Sequence, residues 1–111
     1  MSAGKTRVGA PITPVITTAG VPGTSDQVRT FQDAGGRPAY ARPCVITNMH
    51  ATADLFVLVN EEGASDVNFL RRIPAQEAVD MSFHGRLNVN LVSLYYASAA
   101  YSNVQVRGWQ P

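Results

Sequence analysis

The chain has few of the features that small proteins often rely on, and each shortage excludes a class of structure. A single cysteine, Cys44, cannot form an internal disulfide, so this 111-residue chain is not a disulfide-rich secreted domain. No apolar run approaches the roughly 18 residues of a membrane-spanning helix, and residues 1–10 contain no apolar run of signal-peptide length. We therefore expect a single soluble domain that is made in the cytoplasm and has no membrane partner.

Charge is also scarce, and its distribution indicates what the chain does not bind. The net charge is +1, and no basic run could attract nucleic acid or an anionic membrane. Residues 1–50 carry more basic than acidic side chains, whereas residues 51–111 carry more acidic than basic ones. Lys5 is the only lysine among 9 basic residues, and arginine is enriched where proteins contact proteins. This pattern predicts protein partners and no nucleic-acid partner.

Alternating apolar and polar residues dominate from residue 26 onward, and helical spacing is rare. Turn signals rich in Gly, Pro, Asp and Asn separate the runs at intervals typical of β-sandwiches and small barrels. We predict an all-β fold, an antiparallel β-sandwich of either jelly-roll or immunoglobulin-like topology. The predicted strands are Gln27 to Gln32, Cys44 to His50, Asp54 to Glu61, Val67 to Ile73, Glu77 to Phe83, Val89 to Ala97 and Asn103 to Trp109.

Two details of this strand pattern are specific enough to test. In the run from Asp54 to Glu61, Leu55, Val57 and Val59 alternate with Phe56 and Leu58, which predicts a central strand buried on both faces. The segment Pro74-Ala75-Gln76 lies between two predicted strands, and we interpret it as a hairpin turn.

Residues 1–25 differ in composition from the rest of the chain. Pro11, Pro14 and Pro22 lie among Gly, Ser and Thr, and proline lacks the N–H that a sheet requires. We predict an extended N-terminal arm over residues 1–25 and a folded domain over residues 26–111, with the arm dispensable for folding but needed for binding. The arm residues predicted to contact a partner are Lys5, Arg7, Val8, Ile12, Val15 and Ile16.

No local motif supports catalysis, a metal or a cofactor. His50 and His84 have no metal-ligand spacing, and Cys44 begins a predicted strand, which favours a buried structural thiol over a nucleophile. The acidic segment from Asn60 to Asp66 lacks the spacing of a calcium loop and is interpreted as a solvated turn. We therefore predict a protein that is not an enzyme and that binds no metal or cofactor.

Other polar and aromatic residues are candidates for binding on the domain itself. Arg71 and Arg72 should point to opposite faces, with one of them facing a partner or pairing with Glu77 or Asp80. Sugar binding would need an exposed aromatic platform, and alternation allows at most one of Tyr95 and Tyr96 to join Tyr101 and Trp109 in it. The domain residues predicted to contact a protein partner are Arg37, Arg42 and Trp109.

Four stretches between Cys44 and Trp109 follow a familiar layout, namely VITNMHATADLFVLVNEE, FLRRIPAQEAVDMSF, GRLNVNLVSLYYASA and VQVRGW. In this layout the region resembles small β-sandwich virion proteins of tailed bacteriophages, the decoration or cement proteins that stud capsids. Related layouts also occur in phage fibres and in other viral accessory proteins.

This resemblance implies a function that agrees with the absence of a catalytic motif. The expectation is a capsid decoration protein that binds the major capsid protein on the outer surface of the virion and stabilises the shell. Self-association as a homotrimer would suit the threefold positions of an icosahedral lattice. The alternative is a receptor- or carbohydrate-binding module of a phage fibre or tail.

Overall fold

The computed structural model describes residues 9–111 and confirms an all-β fold of eight antiparallel strands. Within these residues the helical structure is one 3₁₀ turn, Tyr101–Asn103, and no helix is long and apolar enough to cross a membrane. The seven predicted strands each overlap an observed one, and an eighth precedes them. The strands are β1 Pro11–Thr18, β2 Gln27–Gln32, β3 Cys44–Asn48, β4 Leu55–Val59, β5 Arg71–Ile73, β6 Ala78–Asp80, β7 Leu91–Tyr95 and β8 Val104–Trp109.

The strands form one continuous, nearly closed sheet in the order β5-β4-β7-β2-β1-β8-β3-β6. The pairing is nested, because β1 pairs with β8, β2 with β7, β3 with β6 and β4 with β5. Three further pairings, β1 with β2, β3 with β8 and β4 with β7, connect these four pairs. We call β2, β7, β4 and β5 the β2 half of the sheet, and β8, β3 and β6 the β8 half.

Strand β1 joins the two halves by changing its partner along its length. Pro11 and Ile12 pair with Trp109 and Gly108 of β8. From Thr13 to Thr18 the strand pairs with β2 instead, with a register shift between Ile16 and Thr18. The structure therefore does not confirm a separate arm over residues 1–25, because residues 11–18 belong to the sheet.

The expectation that prolines keep this segment out of the sheet is wrong, and the hydrogen-bond directions explain why. Gln110 N donates to Ala10 O at 2.8 Å, so even-numbered residues of β1 direct their main-chain groups toward β8. Pro14 points its main chain toward β8, but the pairing of β1 with β8 has already ended at Ile12. Pro11 points its main chain toward β2, but the pairing of β1 with β2 begins only at Thr13. Neither missing N–H costs a sheet hydrogen bond, as for prolines on edge strands.

Both halves of the sheet contribute to one apolar core. Its fully buried side chains include Phe31 of β2, Ile46 of β3 and Leu94 of β7. Strand β4 is buried on both faces as predicted, because Leu58 packs with Ala64 and Tyr95 in a second cluster outside the main core. The position expected for β4 is wrong, however, because β4 lies next to the short end strand β5 and not at the centre of the sheet.

The turn at Pro74-Ala75-Gln76 is present, but the hairpin predicted around it is wrong. Strands β5 and β6 pair with β4 and β3, respectively, so the turn crosses from one end of the sheet to the other. Buried Asn48 fixes this crossing, since its Nδ2 donates to the main-chain oxygens of Ala53 and Ile73 at 2.7 and 3.0 Å. Its Oδ1 accepts a hydrogen bond from the hydroxyl of Tyr96, and Gln76 N donates to Asn48 O at 2.8 Å.

The close pairing of β1 with β8 depends on the absence of a side chain at Gly108. A Cβ at this position would lie 2.7 Å from the Cβ of Ala41 and 3.1 Å from Cγ1 of Ile12. Gly108→Ala should therefore lower the free energy of unfolding by about 1–3 kcal/mol, measured by urea denaturation. Adding Ala41→Gly should recover part of that loss, because it removes the nearest atom.

Gly35→Ala is the matched control for this substitution. The added methyl group would lie in the exposed β2–β3 turn, where its nearest neighbour is Oδ1 of Asp33 at 3.4 Å. This variant should stay within about 0.5 kcal/mol of the wild type. Equal stability of the Gly108→Ala and Gly35→Ala chains would contradict the proposed role of Gly108.

Candidate binding groove

A groove of 310 Å³ opens on the surface where β1 and β8 diverge. Its lining is mostly apolar, and both strands contribute equally to it. The lining residues are Pro11, Ile12, Thr13, Pro14, Val106, Arg107, Gly108 and Trp109. We refer to this feature as the β1–β8 groove.

The change of partner by β1 creates this groove. Pairing between β1 and β8 ends at Ile12 and Gly108, and β1 then follows β2 away from β8. Ile12 and Val106, which are 6% exposed, form the floor, whereas Trp109 remains partly exposed beside them. Apolar surface with a few polar groups at its margin is typical of a binding site.

Arg29 links β2 to the beginning of β8, next to the residues that line the groove. It extends from β2, and its Nη1 and Nη2 donate to the main-chain oxygens of Val104 and Tyr101 at 3.5 and 3.3 Å. Its Nε donates to Oε1 of Gln27 at 2.9 Å. Burial lowers the pKa of Arg29, and its partners are neutral oxygens, so the guanidinium group is a structural link between β2 and β8.

The electrostatic character of the groove comes from arginine. Arg107 lies exposed on its wall, and in the part of the chain that the structure describes no carboxylate forms a salt bridge with it. Strands β1 and β8 contain no acidic residue. Arg42 is close to the groove in the chain fold, since its main-chain N–H donates to the main-chain oxygen of Trp109 at 2.8 Å. The groove is therefore apolar with an unpaired positive charge on its wall.

The contact residues predicted on the N-terminal arm differ in how exposed they are in the structure. Ile12 is buried in the floor of the groove and is not a free surface contact, while Val15 is half-buried and Ile16 is 54% exposed on β1. The remaining arm residues, Lys5, Arg7 and Val8, lie outside the described residues.

The predicted contact residues on the domain also separate into two groups. Trp109 lines the groove and Arg42 contacts its main chain, whereas Arg37 lies in the exposed β2–β3 turn and does not line the groove. Arg107 was not predicted, although it lies two residues from Trp109 on the same face of β8. That spacing was a usable signal, whereas nothing in the sequence indicates that β1 diverges here.

The residues considered for catalysis have structural roles. Burial raises the pKa of the Cys44 thiol to about 12, and the charge of Asp80 adds to the shift, so Cys44 is a buried thiol as expected. Nδ1 of His50 accepts hydrogen bonds from the N–H groups of Thr52 and Ala53 at 3.1 and 2.8 Å. Among residues 9–111, no three His, Cys, Asp or Glu side chains come together as metal ligands would.

The acidic segment from Asn60 to Asp66 is held as a turn by hydrogen bonds. Oδ2 of Asp26 accepts hydrogen bonds from Gly63 N at 2.9 Å and from the hydroxyl of Ser93 at 2.6 Å. Asn68 Nδ2 donates to Gly63 O at 3.0 Å. The oxygen atoms that hold this loop are thus already engaged by protein donors.

The salt bridge expected between Arg71 or Arg72 and Glu77 or Asp80 is replaced by a different one. Arg72 forms a salt bridge with Asp54 at 2.7 Å and does not pair with Glu77 or Asp80. The reason is the topology, because β5 runs beside β4 and Asp54 directly precedes β4. Arg72 is exposed and Asp54 is only half-buried, so this pair contributes little to stability.

The aromatic platform that sugar binding would need is not assembled from the tyrosines. Tyr95, Tyr96 and Tyr101 are 8%, 0% and 7% exposed, and the Tyr101 hydroxyl donates to Ser25 O at 2.7 Å. Among the four aromatic residues considered, Trp109 alone is left partly exposed.

The buried thiol makes stability sensitive to alkali. Unfolded Cys44 loses its proton near its ordinary pKa of 9.0, whereas folded Cys44 keeps it up to about 12. The unfolded chain therefore binds fewer protons above pH 9.0, and the free energy of unfolding should fall by up to about 1.4 kcal/mol per pH unit as pH rises. Tyr96, whose pKa is raised from 10.0 to about 12 by burial, should add to this fall above pH 10.0.

Urea denaturation between pH 9.0 and 10.0 separates the thiol from the tyrosine. Cys44→Ala should flatten the slope of stability against pH in this window. Val57→Ala, which also shortens a fully buried side chain, should be less stable but keep the wild-type slope. Identical slopes in the wild type and Cys44→Ala would disprove the assignment to Cys44.

Comparison with known proteins does not assign the chain to a family. No family model matches it, and no curated protein and no solved structure matches it either.

Proposed function

We propose that the fold is a jelly-roll β-sandwich. Nested pairing of β1 with β8, β2 with β7, β3 with β6 and β4 with β5 supports this topology. A jelly roll has eight antiparallel strands arranged as two Greek keys in two sheets. In this arrangement one sheet is β6-β3-β8-β1, the other is β2-β7-β4-β5, and the shared core lies between them. The immunoglobulin-like alternative is not favoured by this pairing.

We propose that the protein is a capsid decoration, or cement, protein of a tailed phage, without catalytic activity. The observation that carries the proposal is the nested pairing, since jelly rolls recur in viral capsid domains. The resemblance of the region from Cys44 to Trp109 to phage decoration proteins points the same way. On this proposal the protein lies on the outer surface of the virion and stabilises the shell of major capsid protein.

The proposed contact with the shell combines the β1–β8 groove and the residues that precede β1. Gly9 N donates to Gln110 O at 2.8 Å, so Gly9 lies beside the end of β8. Val8 directly precedes Gly9 in the sequence, and Arg7 and Lys5 lie one and three residues before Val8. We therefore keep these three residues as proposed shell contacts, together with Trp109 and Arg42.

A surface on the opposite part of the sheet is proposed for self-association. The β4–β5 loop exposes Val67, Phe69 and Leu70 to 87%, 41% and 53%, and Phe69 packs on Phe56 with ring centroids 5.0 Å apart. Adjacent exposed apolar side chains of this kind mark interaction surfaces. We propose that this loop forms the interface of a homotrimer, whose symmetry fits threefold positions of a capsid.

A second candidate function is a receptor- or carbohydrate-binding module of a fibre or tail. The partly exposed indole of Trp109 in the groove favours it, because aromatic faces can pack against ligands. The two functions differ in where the protein lies on the particle and in how many copies are present.

Copy number therefore tests the capsid proposal. Quantitative mass spectrometry of particles purified from the encoding virus should find on the order of hundreds of copies, because an icosahedral shell repeats each binding position many times. The major capsid protein in the same sample provides the internal standard. A count of a few tens or fewer would overturn the capsid role and favour a fibre or tail.

Self-association can be tested on the full chain alone. Sedimentation velocity should show a trimer for the wild type and a monomer for Leu70→Glu, because a charge in the proposed interface would lose its water. Tyr40→Glu is the matched control, since Tyr40 is 51% exposed outside the β4–β5 loop and its variant should remain a trimer. A wild type that stays monomeric at high concentration would contradict the trimer.

A further inference from the structure

We propose that the β1–β8 groove binds an extended peptide segment of a partner protein, one that carries an apolar side chain next to a carboxylate. Identifying that partner as the capsid shell rests on the proposed function, whereas the mode of binding does not. The proposal depends on three properties of the groove, namely its main-chain edge, its apolar floor and its charge.

The main-chain edge of β8 favours an extended segment over a helix. Gln110 directs both its N–H and its C=O toward the β1 side, so Gly108 and Val106 face the same side. Gly108 is paired with Ile12, but Val106 lies beyond the end of that pairing. Pro14, the β1 residue next in register, has no N–H to offer. A peptide N–H that reaches the main-chain oxygen of Val106 could donate to it, which is one hydrogen bond of the kind that edge-binding peptides make.

The floor and walls of the groove select an apolar side chain. Ile12 and Val106 form the floor, and the rings of Pro11, Pro14 and Trp109 stand around it. A volume of 310 Å³ accommodates one or two side chains but no folded element. Rigid rings lose little conformational freedom on binding, so the groove is largely preorganised for such a contact.

The charge of the groove selects the neighbouring residue of the partner. Arg107 stands exposed on the wall and makes no salt bridge with any residue that the structure describes. Because β1 and β8 carry no acid, a carboxylate on the partner would meet no like charge on either strand. The chain's own residues 1–8 contain Lys5 and Arg7 but no acid, so they are a poor match for Arg107.

The fluorescence of Trp109 reports directly on groove occupancy, because it is the only tryptophan in the chain. Full-length protein is used to select binders from a displayed library of random linear peptides. Synthetic versions of the selected peptides are then titrated while Trp109 emission is recorded. Selected sequences should combine an apolar residue with an adjacent Asp or Glu, and each should change the emission on binding.

Matched variants separate charge from shape. Changing the carboxylate of a selected peptide to its amide should weaken binding about tenfold, and Arg107→Gln should remove that difference. Arg86→Gln, at an exposed arginine outside the groove, should bind like the wild type. Proline placed opposite Val106 in the peptide should also weaken binding, because it removes the donor for the sheet edge.

Several results would overturn the proposal. These are a library that yields no binders, binders without acidic enrichment, or equal effects of Arg107→Gln and Arg86→Gln. Titration with oligosaccharides provides another, since a sugar that shifts Trp109 emission where no peptide does would assign the groove to carbohydrate. If Arg107→Gln left the occupancy on particles unchanged, the groove would be rejected as the contact with the shell, and the capsid role would stand. If the protein bound peptides but were absent from purified particles, the capsid role would be rejected, and peptide binding by the groove would stand.

Discussion

The structure depends on the close approach of β1 to β8 at Ile12 and Gly108. This contact is where the β2 half and the β8 half of the sheet meet along the chain, because β1 pairs with both. Gly108 permits it by leaving room for Ile12 and Ala41. Without the contact, the two halves would lose their direct strand connection and would be held together by the packing of their shared core, by Arg29 and by the Asn48 network.

The same contact explains why a groove opens between β1 and β8. A strand that serves two partners must leave one of them, and the gap that remains beside β8 is the groove. Toward the beginning of β8, Arg29 links β2 to Val104 and Tyr101 by hydrogen bonds. The groove itself is open to the surface and is bordered by Trp109 and Arg107. The strand contact that stabilises the sheet and the groove beside it thus derive from one feature of the backbone path.

Much of the fold could be predicted from local patterns, and the failures have a common cause. The strand from Gln27 to Gln32 was predicted with its observed bounds, because its alternation and flanking turns are local signals. Strand β1 was not predicted because it contains two prolines. A sheet tolerates a proline where no neighbouring strand needs its N–H, and the positions of the neighbouring strands are set by tertiary contacts that the local sequence does not show. The supposed hairpin at Pro74 failed for the same reason, since the partners of β5 and β6 come from earlier in the chain.

The candidate site was only partly predictable. Trp109 lines the groove, the main chain of Arg42 is bonded to it, and the spacing of Arg107 and Trp109 on one face of β8 was visible in the sequence. Arg37 carries the same chemistry but lies in a different turn. Nothing local distinguishes it from Arg42, because the distinction arises from the main-chain bond between Arg42 and Trp109.

Nested pairing has a consequence for how the chain folds during synthesis. Strand β8 is synthesised after the other seven strands of the sheet, yet both β1 and β3 require it as a neighbour. Until it arrives, two strands expose unpaired edges of the kind that promote aggregation, and closing so long a loop is slow. Pro14 lies on the β8 side of β1, one of those waiting strands, and a residue without an N–H is a poor template for strand addition. The missing N–H that costs the finished sheet nothing thus makes the waiting edge of β1 less open to pairing with another chain.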